Sequence, residues 1–157
     1  MKYQCTLIAV HDMSLSKQFY AAVLGLEVAA DFGANVTLTG GIALQTLDTW
    51  KGFIQKRDDE ILFGSHVAEL YFEEDDIDGF AAKLNRLDGI EYVHPLMEHA
   101  WGQRVIRFYD PDRHIIEVGE NMTAVVRRFF DAGLSVEETA ARMDVPPDFV
   151  RTCLNMS

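Results

Sequence analysis

The feature that most restricts how this chain can fold is a repeat of pattern between its two halves. Residues 5–28 read CTLIAVHDMSLSKQFYAAVLGLEV, and residues 69–92 read ELYFEEDDIDGFAAKLNRLDGIEY. Each segment gives a short apolar strand, an acid (Asp12; Asp76), an amphipathic helix, and a Gly-containing turn into a new strand. Aligning the two acids sets Cys5 opposite Glu69, seven residues before each. Later in each half a strand carries a single polar residue near its end: Gln45 in GIALQT and Glu117 in HIIEVG. A duplicated unit that cannot bury its own sheet face pairs with its copy, and residues of both copies then meet at the junction. Cys5, Gln45, Glu69 and Glu117 are therefore expected at related positions.

Two of these four are lone acids in apolar strand-like runs, HVAELYF and RHIIEVG. A carboxylate on a sheet face costs several kcal/mol if it is desolvated without a partner. Glu69 and Glu117 thus require a cation, a hydrogen-bonding network or a wet cavity, unless each simply faces water. Side by side without a metal they would repel. One would then stay protonated or take a cationic partner, as suits a general acid and base or the recognition of a basic or hydroxylated ligand.

The periodicities predict these elements in order. A strand over 3–10 leads to a helix capped by Ser14 and stopped at Gly25, then strands over 27–32, 35–39 and 42–47, with Gly40-Gly41 as a hairpin signal. Residues 48–64 read as a connecting loop with a helical turn, where Trp50 and Phe53 are candidate apolar contacts. The second half predicts a strand over 66–73, a helix stopped at Gly89, and strands over 90–94, 104–109 and 114–119. The last two are joined by the turn DPDR. PLMEHAWGQ (95–103) reads as a loop rich in groups that could touch a ligand, and His94, His99, Trp101, Gln103 and Arg104 lie in or beside it. Alternation puts Val105, Arg107 and Tyr109 on one face of their strand and Arg104, Ile106 and Phe108 on the other. Either set could line a site.

From Met122 the pattern becomes helical. It predicts one helix stopped at Gly133, a second opened by a Ser135/Glu138 capping box, and a third capped by Asp148. This helix–turn–helix tail carries four arginines against six acids over 120–157, a net charge of −2. The whole chain carries −11. Binding a polyanion depends largely on neutralising phosphates with Lys and Arg, so nucleic acid is not the expected partner. No apolar run approaches the roughly 20 residues that span a bilayer. The N-terminus enters a strand pattern directly, without a signal-peptide pattern, and Cys5 and Cys153 make no disulfide framework, so a cytoplasmic location is expected.

DMSLSKQFYAAVLGLEV resembles the D-x-x-x-S-x-x-FY-x-x-x-LG-x-x-V stretch of the vicinal oxygen chelate superfamily, which includes glyoxalase I, bleomycin-resistance proteins and extradiol dioxygenases. YFEEDDIDGF resembles the start of that superfamily's second module, and RFYDPDRHIIEVGE its closing hairpin. The resemblance covers about residues 3–120. It implies an α+β fold of two βαβββ modules (about 3–48 and 66–120) forming a cupped mixed sheet over 1–121, followed by a helical extension over 122–157. It further implies a divalent metal held by one residue from the first and last strand of each module: here Cys5, Gln45, Glu69 and Glu117. Only Glu117 matches the residue type common among the family's metal enzymes. Cys5 and Glu69 stand where histidine is usual, and Arg113 replaces the turn glycine.

The expected function is binding or transforming a small molecule. A metal-assisted lyase, isomerase or transferase would use Glu117 and Glu69 as ligands or catalytic acid and base. The alternative is a non-catalytic drug- or metabolite-binding protein. His94, Trp101, Arg107, Tyr109 and Trp50 are the candidate ligand contacts. Open sheet edges and an apolar-faced last helix (Phe149, Val150, Cys153, Leu154) point to a two-fold homodimer.

Overall fold

The structure is a computed structural model and describes residues 1–155. The chain divides into two compact units: residues 1–68 with 110–114, and residues 69–109 with 115–155.

In the first unit, β1 (Thr6–Val10) leads into α1 (Met13–Leu24), followed by β2 (Val28–Asp31), β3 (Asn35–Leu38) and β4 (Ile42–Thr46). The strand order is β1-β4-β3-β2, with β1 and β4 parallel and the rest antiparallel. Asp12, not Ser14, caps α1, its carboxylate accepting from the Leu15 amide at 2.9 Å. An aspartate at this position satisfies an amide that the helix itself cannot. Gly40 and Gly41 both have positive φ, 81° and 79°, as a tight β3–β4 turn requires. One face of the sheet is wholly apolar at its centre: Val10, Val36, Leu38, Ile42 and Leu44 are buried, as are Tyr20 and Val23 of α1. The segment expected as a loop holds an eight-residue helix, α2 (Leu47–Ile54), and a short 3-10 turn over Asp58–Glu60. The DPDR turn is buried through its aspartates. Asp110 accepts from the Tyr20 hydroxyl at 2.9 Å and pairs with His114, while Asp112 pairs with His11. Burial, reinforced by the adjacent Asp110 charge, pushes the Tyr20 phenol far above its ordinary range, so it stays a neutral donor.

The second unit repeats the topology. β5 (Glu69–Glu74), α3 (Ile77–Leu84), β6 (Tyr92–Glu98), β7 (Arg104–Tyr109) and β8 (Ile115–Glu120) form a sheet of order β5-β8-β7-β6. Asp76 caps α3 as Asp12 caps α1, accepting from Gly79 at 2.9 Å. Ile77, Phe80 and Leu84 of α3 are buried, with Phe80 and Phe108 rings 6.2 Å apart. β5 starts three residues later than expected, because His66 takes a left-handed φ of 56° that no strand continues through. β6 runs on through Pro95 to Glu98, so only 99–103 form the loop. A proline fits there because β6 is an edge strand with register shifts at Tyr92/His94 and His94/Met97.

Three helices follow in this unit: α4 (Met122–Asp131), α5 (Val136–Met143) and α6 (Pro147–Cys153). Ser135 and Glu138 make the expected capping box. α6 begins at Pro147 with Pro146 at its cap, placing Asp148 in the first turn instead. Val125, Val126, Val136, Ala140, Met143 and Val150 form a core of their own, with Phe129, Cys153 and Leu154 packed against it. The apolar side of α6 is thus largely used within the tail, and only Phe149 of the predicted stripe is exposed. Among the described residues no helix is long and apolar enough to cross a membrane.

Candidate functional site

Strand register decides which side chains share a face. Cross-strand partners point the same way. Tyr71 pairs with Glu117, Glu117 with Arg107, and Arg107 with His94, while Glu69 pairs with Ile115 and Ile115 with Tyr109. Of the two possible sets on β7, it is therefore Val105, Arg107 and Tyr109 that lie beside the two carboxylates. The opposite set, with Phe108, faces α3.

Arg107 is the centre of this face. Its Nε–H donates to Glu69 Oε2 at 2.9 Å, and its Nη2 end forms an ion pair with Glu117 Oε2, with no hydrogen bond directed at that oxygen. Nη1 lies 3.2 Å from His94 Nε2 and 3.3 Å from His99 Nε2. A guanidinium nitrogen can only donate, so both imidazole Nε2 atoms act as acceptors and both rings are neutral. His94 Nδ1 sits 2.8 Å from the Pro95 carbonyl, which requires the proton on Nδ1 and agrees with that tautomer. Burial, followed by the adjacent Arg107 charge, holds the His99 pKa below the ordinary imidazole value. Glu117 is only 5% exposed, whereas Glu69 reaches solvent.

Around this centre lie aromatic groups. His99 stacks on Trp101 with ring centroids 4.2 Å apart and planes 21° from parallel. Trp101 donates from Nε1 to Gln103 Oε1 at 3.3 Å, and Gln103 Nε2 donates to the Tyr71 hydroxyl at 3.0 Å. Trp101 and Tyr71 remain 41% and 49% exposed, leaving aromatic surface for a ligand. Local charge is two carboxylates against one guanidinium, a net negative of one unit with neutral histidines.

Glu69, Glu117, His94, Trp101, Arg107 and Tyr109 thus belong to one unit, all but Trp101 on this face of its sheet and Trp101 in the adjoining loop. Cys5, Gln45 and Trp50 belong to the other. There Gln45 is buried, its amide oxygen accepting from Asn35 at 2.8 Å and its amide nitrogen donating to Thr49 of α2. Trp50 is half-buried on α2, and Cys5 is a free, half-buried thiol just ahead of β1. The register also corrects the expected equivalence of Gln45 and Glu117. Thr46 pairs with Val10, two residues before the Asp12 cap, and Glu120 pairs with Glu74, two before Asp76. Gln45 therefore matches Gly119, and Glu117 matches Ala43. Tyr71 was not among the candidates, although it stands two residues after Glu69 and alternation alone puts it on the same face.

A second buried carboxylate, Glu120, lies on the α3 side. Burial pushes its pKa up, but hydrogen bonds from Arg104 and Arg128 outweigh that and hold it below the usual range. It is a structural tie between β7, β8 and α4.

Residues 3–123 match the family model of the glyoxalase-like domain. The chain belongs to the glyoxalase-like family. A protein of unknown function from Agrobacterium tumefaciens strain C58 is 38% identical to this glyoxalase-like chain, over 77% of this chain and 94% of that one, with a TM-score of 0.70. A glyoxalase-related enzyme from Fulvimarina pelagi is 18% identical, covering 78% and 91%, with a TM-score of 0.64. A glyoxalase/bleomycin resistance protein/dioxygenase from Nocardioides is 19% identical, covering 76% and 83%, with a TM-score of 0.63. At 18% and 19% identity the likeness is one of fold. No curated protein matches the chain in sequence.

The glyoxalase-like fold raises the question of a divalent ion, and the donors here do not fit one. Arg107 already engages Glu117 and Glu69, and the Gln45 oxygen is engaged by Asn35. The guanidinium cannot lose its charge at any ordinary pH, so it would repel a cation placed between the same carboxylates. Among the described residues no group of three or more His, Cys, Asp or Glu is placed to hold a metal.

Proposed function

We propose that this glyoxalase-like chain binds a small organic cation on the Arg107 face of its second sheet, and that Arg107 takes the charge-compensating part a divalent metal would otherwise play. The observation that carries this reading is the placement of the guanidinium between Glu69 and Glu117, with two neutral imidazoles taking its remaining Nη1 hydrogens. Three of its five donors are then used in hydrogen bonds, and its Nη2 end is taken up by the Glu117 ion pair, so the arginine has little left to offer an anionic ligand. What stays available is acceptor and π surface: the solvent-facing Glu69 carboxylate, Trp101 and Tyr71. A cation over an aromatic face gains about 0.5–2 kcal/mol, more when desolvated. The net charge of −11 also favours encounter with cations over anions.

The chain acts as a binding protein in this reading. The enzymatic reading, a metal-assisted lyase, isomerase or transferase, is favoured by one observation, the position of Glu117 in the closing RFYDPDRHIIEVGE motif. Calorimetric titration with benzylamine, tyramine and benzoate tests the proposal. The amines should bind and weaken at least several-fold in Glu69→Gln and Trp101→Ala, while benzoate should not bind. Benzoate binding as tightly as the amines, or amine affinity indifferent to both substitutions, would overturn it.

A further inference from the structure

The helices after the family domain reach the loop that carries His99 and Trp101. The family match ends at residue 123, so α5 and most of α4 lie beyond it. Arg142 of α5 donates to the Ala100 carbonyl and, at 3.0 Å, to Glu98 Oε1. Arg128 of α4 donates to the Gly102 carbonyl and to Glu98 Oε2 at 3.3 Å. Phe129 lies between these contacts, with the Arg128 and Arg142 guanidiniums 4.9 and 5.3 Å from its ring centre. Its ring fills the space in which a side chain at residue 102 would stand. A Cβ on Gly102 would come within 2.3 Å of it, and φ there is +90°. Only glycine allows both the backbone turn and the ring's approach.

The loop itself is short and internally braced, the His99 amide donating to the Gln103 carbonyl at 2.9 Å and the Gly102 amide to the His99 carbonyl at 2.8 Å. Moving Ala100 or Gly102 therefore moves His99 and Trp101. His99 is the loop's contact with Arg107. A continuous set of contacts thus runs from the tail arginines and Phe129, through the loop backbone, to the guanidinium that holds Glu69 and Glu117.

We propose that the C-terminal helices are the positioning element of this site: Arg142 and Phe129 hold the 99–103 loop so that His99 stands against Arg107 with Trp101 stacked on it. The tail then determines the shape and affinity of the site without touching the ligand. This rests on the Arg107 face being the binding site only for its consequence in affinity; the placement of His99 is measurable without ligand. It also gives the helix–turn–helix extension a role that needs neither DNA nor another protein.

NMR titration of the His99 ring in the full-length protein tests it. In Arg142→Gln and Phe129→Ala, a released His99 leaves both its burial and the Arg107 charge, and its pKa should rise toward the ordinary 6.5. Trp101 emission should shift to the red in the same variants. Gly102→Ala perturbs the contact from the loop side and should do the same with the tail intact. Val150→Ala weakens the tail core without touching the loop, and His99 should titrate there as in the wild type. Arg142→Gln alters a partly exposed side chain, so it stays readable if Phe129→Ala does not fold. Folded Arg142→Gln and Gly102→Ala proteins with an unchanged His99 titration would overturn the proposal. So would a Val150→Ala variant that shifts His99 as far as they do. Unchanged amine affinity in a variant whose His99 has moved would instead count against the binding reading.

Discussion

Arg107→Ala should be the most destabilising single substitution on the open face of the second sheet, and its cost should depend on pH. Glu117 is 5% exposed and its ion-pair partner is Arg107. Removing one member of a buried pair leaves the other charged and unpaired, at a cost of about 3–5 kcal/mol. For a protein of this size a kcal/mol corresponds to about 2–4 °C in Tm, so a fall of about 6–20 °C is expected at pH 7. Glu69→Ala removes only a partly exposed partner and should cost about 0–1 kcal/mol. Without Arg107 nothing offsets the cost of burying the Glu117 charge. The stability deficit should therefore be full at neutral pH and shrink in acid, where the carboxylate can be neutralised. Arg107→Ala combined with Glu117→Gln should recover much of the loss, since the amide carries no charge. Chemical denaturation of the four proteins between pH 5 and 8 reads all of this. A loss under about 1 kcal/mol in Arg107→Ala, or a larger loss with no pH dependence and no recovery in the double variant, would show that Glu117 does not depend on this pair.

The lowered His99 pKa has the opposite consequence for the wild type. The unfolded chain binds the proton more tightly than the native one, so stability should fall as pH drops below about 6.5, and His99→Gln should flatten that part of the profile. Val126→Ala and Val150→Ala, each truncating a fully buried side chain of the tail core, should each cost about 1.5–3 kcal/mol by denaturant titration. Light scattering should report a homodimer, since β2 and β6 are edge strands of their sheets among the described residues, with Val28, Val93 and Met97 exposed. A monomer at micromolar concentration would reject that assembly.

The two βαβββ repeats were readable in the sequence because their signals are local. The acids Asp12 and Asp76 ahead of each helix, the Gly40-Gly41 turn and the strand alternation each act within a few residues, although the first helix is capped by Asp12 and not by the expected Ser14. The displaced boundaries have local causes that composition hides. His66 enters a left-handed conformation inside a run of strand formers, and Pro95 is accepted because β6 is an edge. The site was less readable, because it depends on register. Which set of β7 side chains meets Glu117 is decided by the β7–β8 pairing, and one residue of slip would have exchanged Arg107 for Ile106 or Phe108. The equivalence of Gln45 with Glu117 failed for the same reason, since aligned helix caps fix a register that places Gln45 one dipeptide further along. The apolar run around Glu117 alone shows that this carboxylate needs a partner such as a cation. That the cation is an arginine ten residues earlier became visible only once the hairpin was paired.

Metal analysis tests the central claim, that Arg107 takes the place of a divalent ion between Glu69 and Glu117, most directly. Protein purified without chelators should contain far less than one equivalent of any divalent metal by mass spectrometry, and Mn²⁺, Ni²⁺ and Zn²⁺ should leave its Tm unchanged. A stoichiometric divalent ion that is lost in Glu117→Ala would contradict the account.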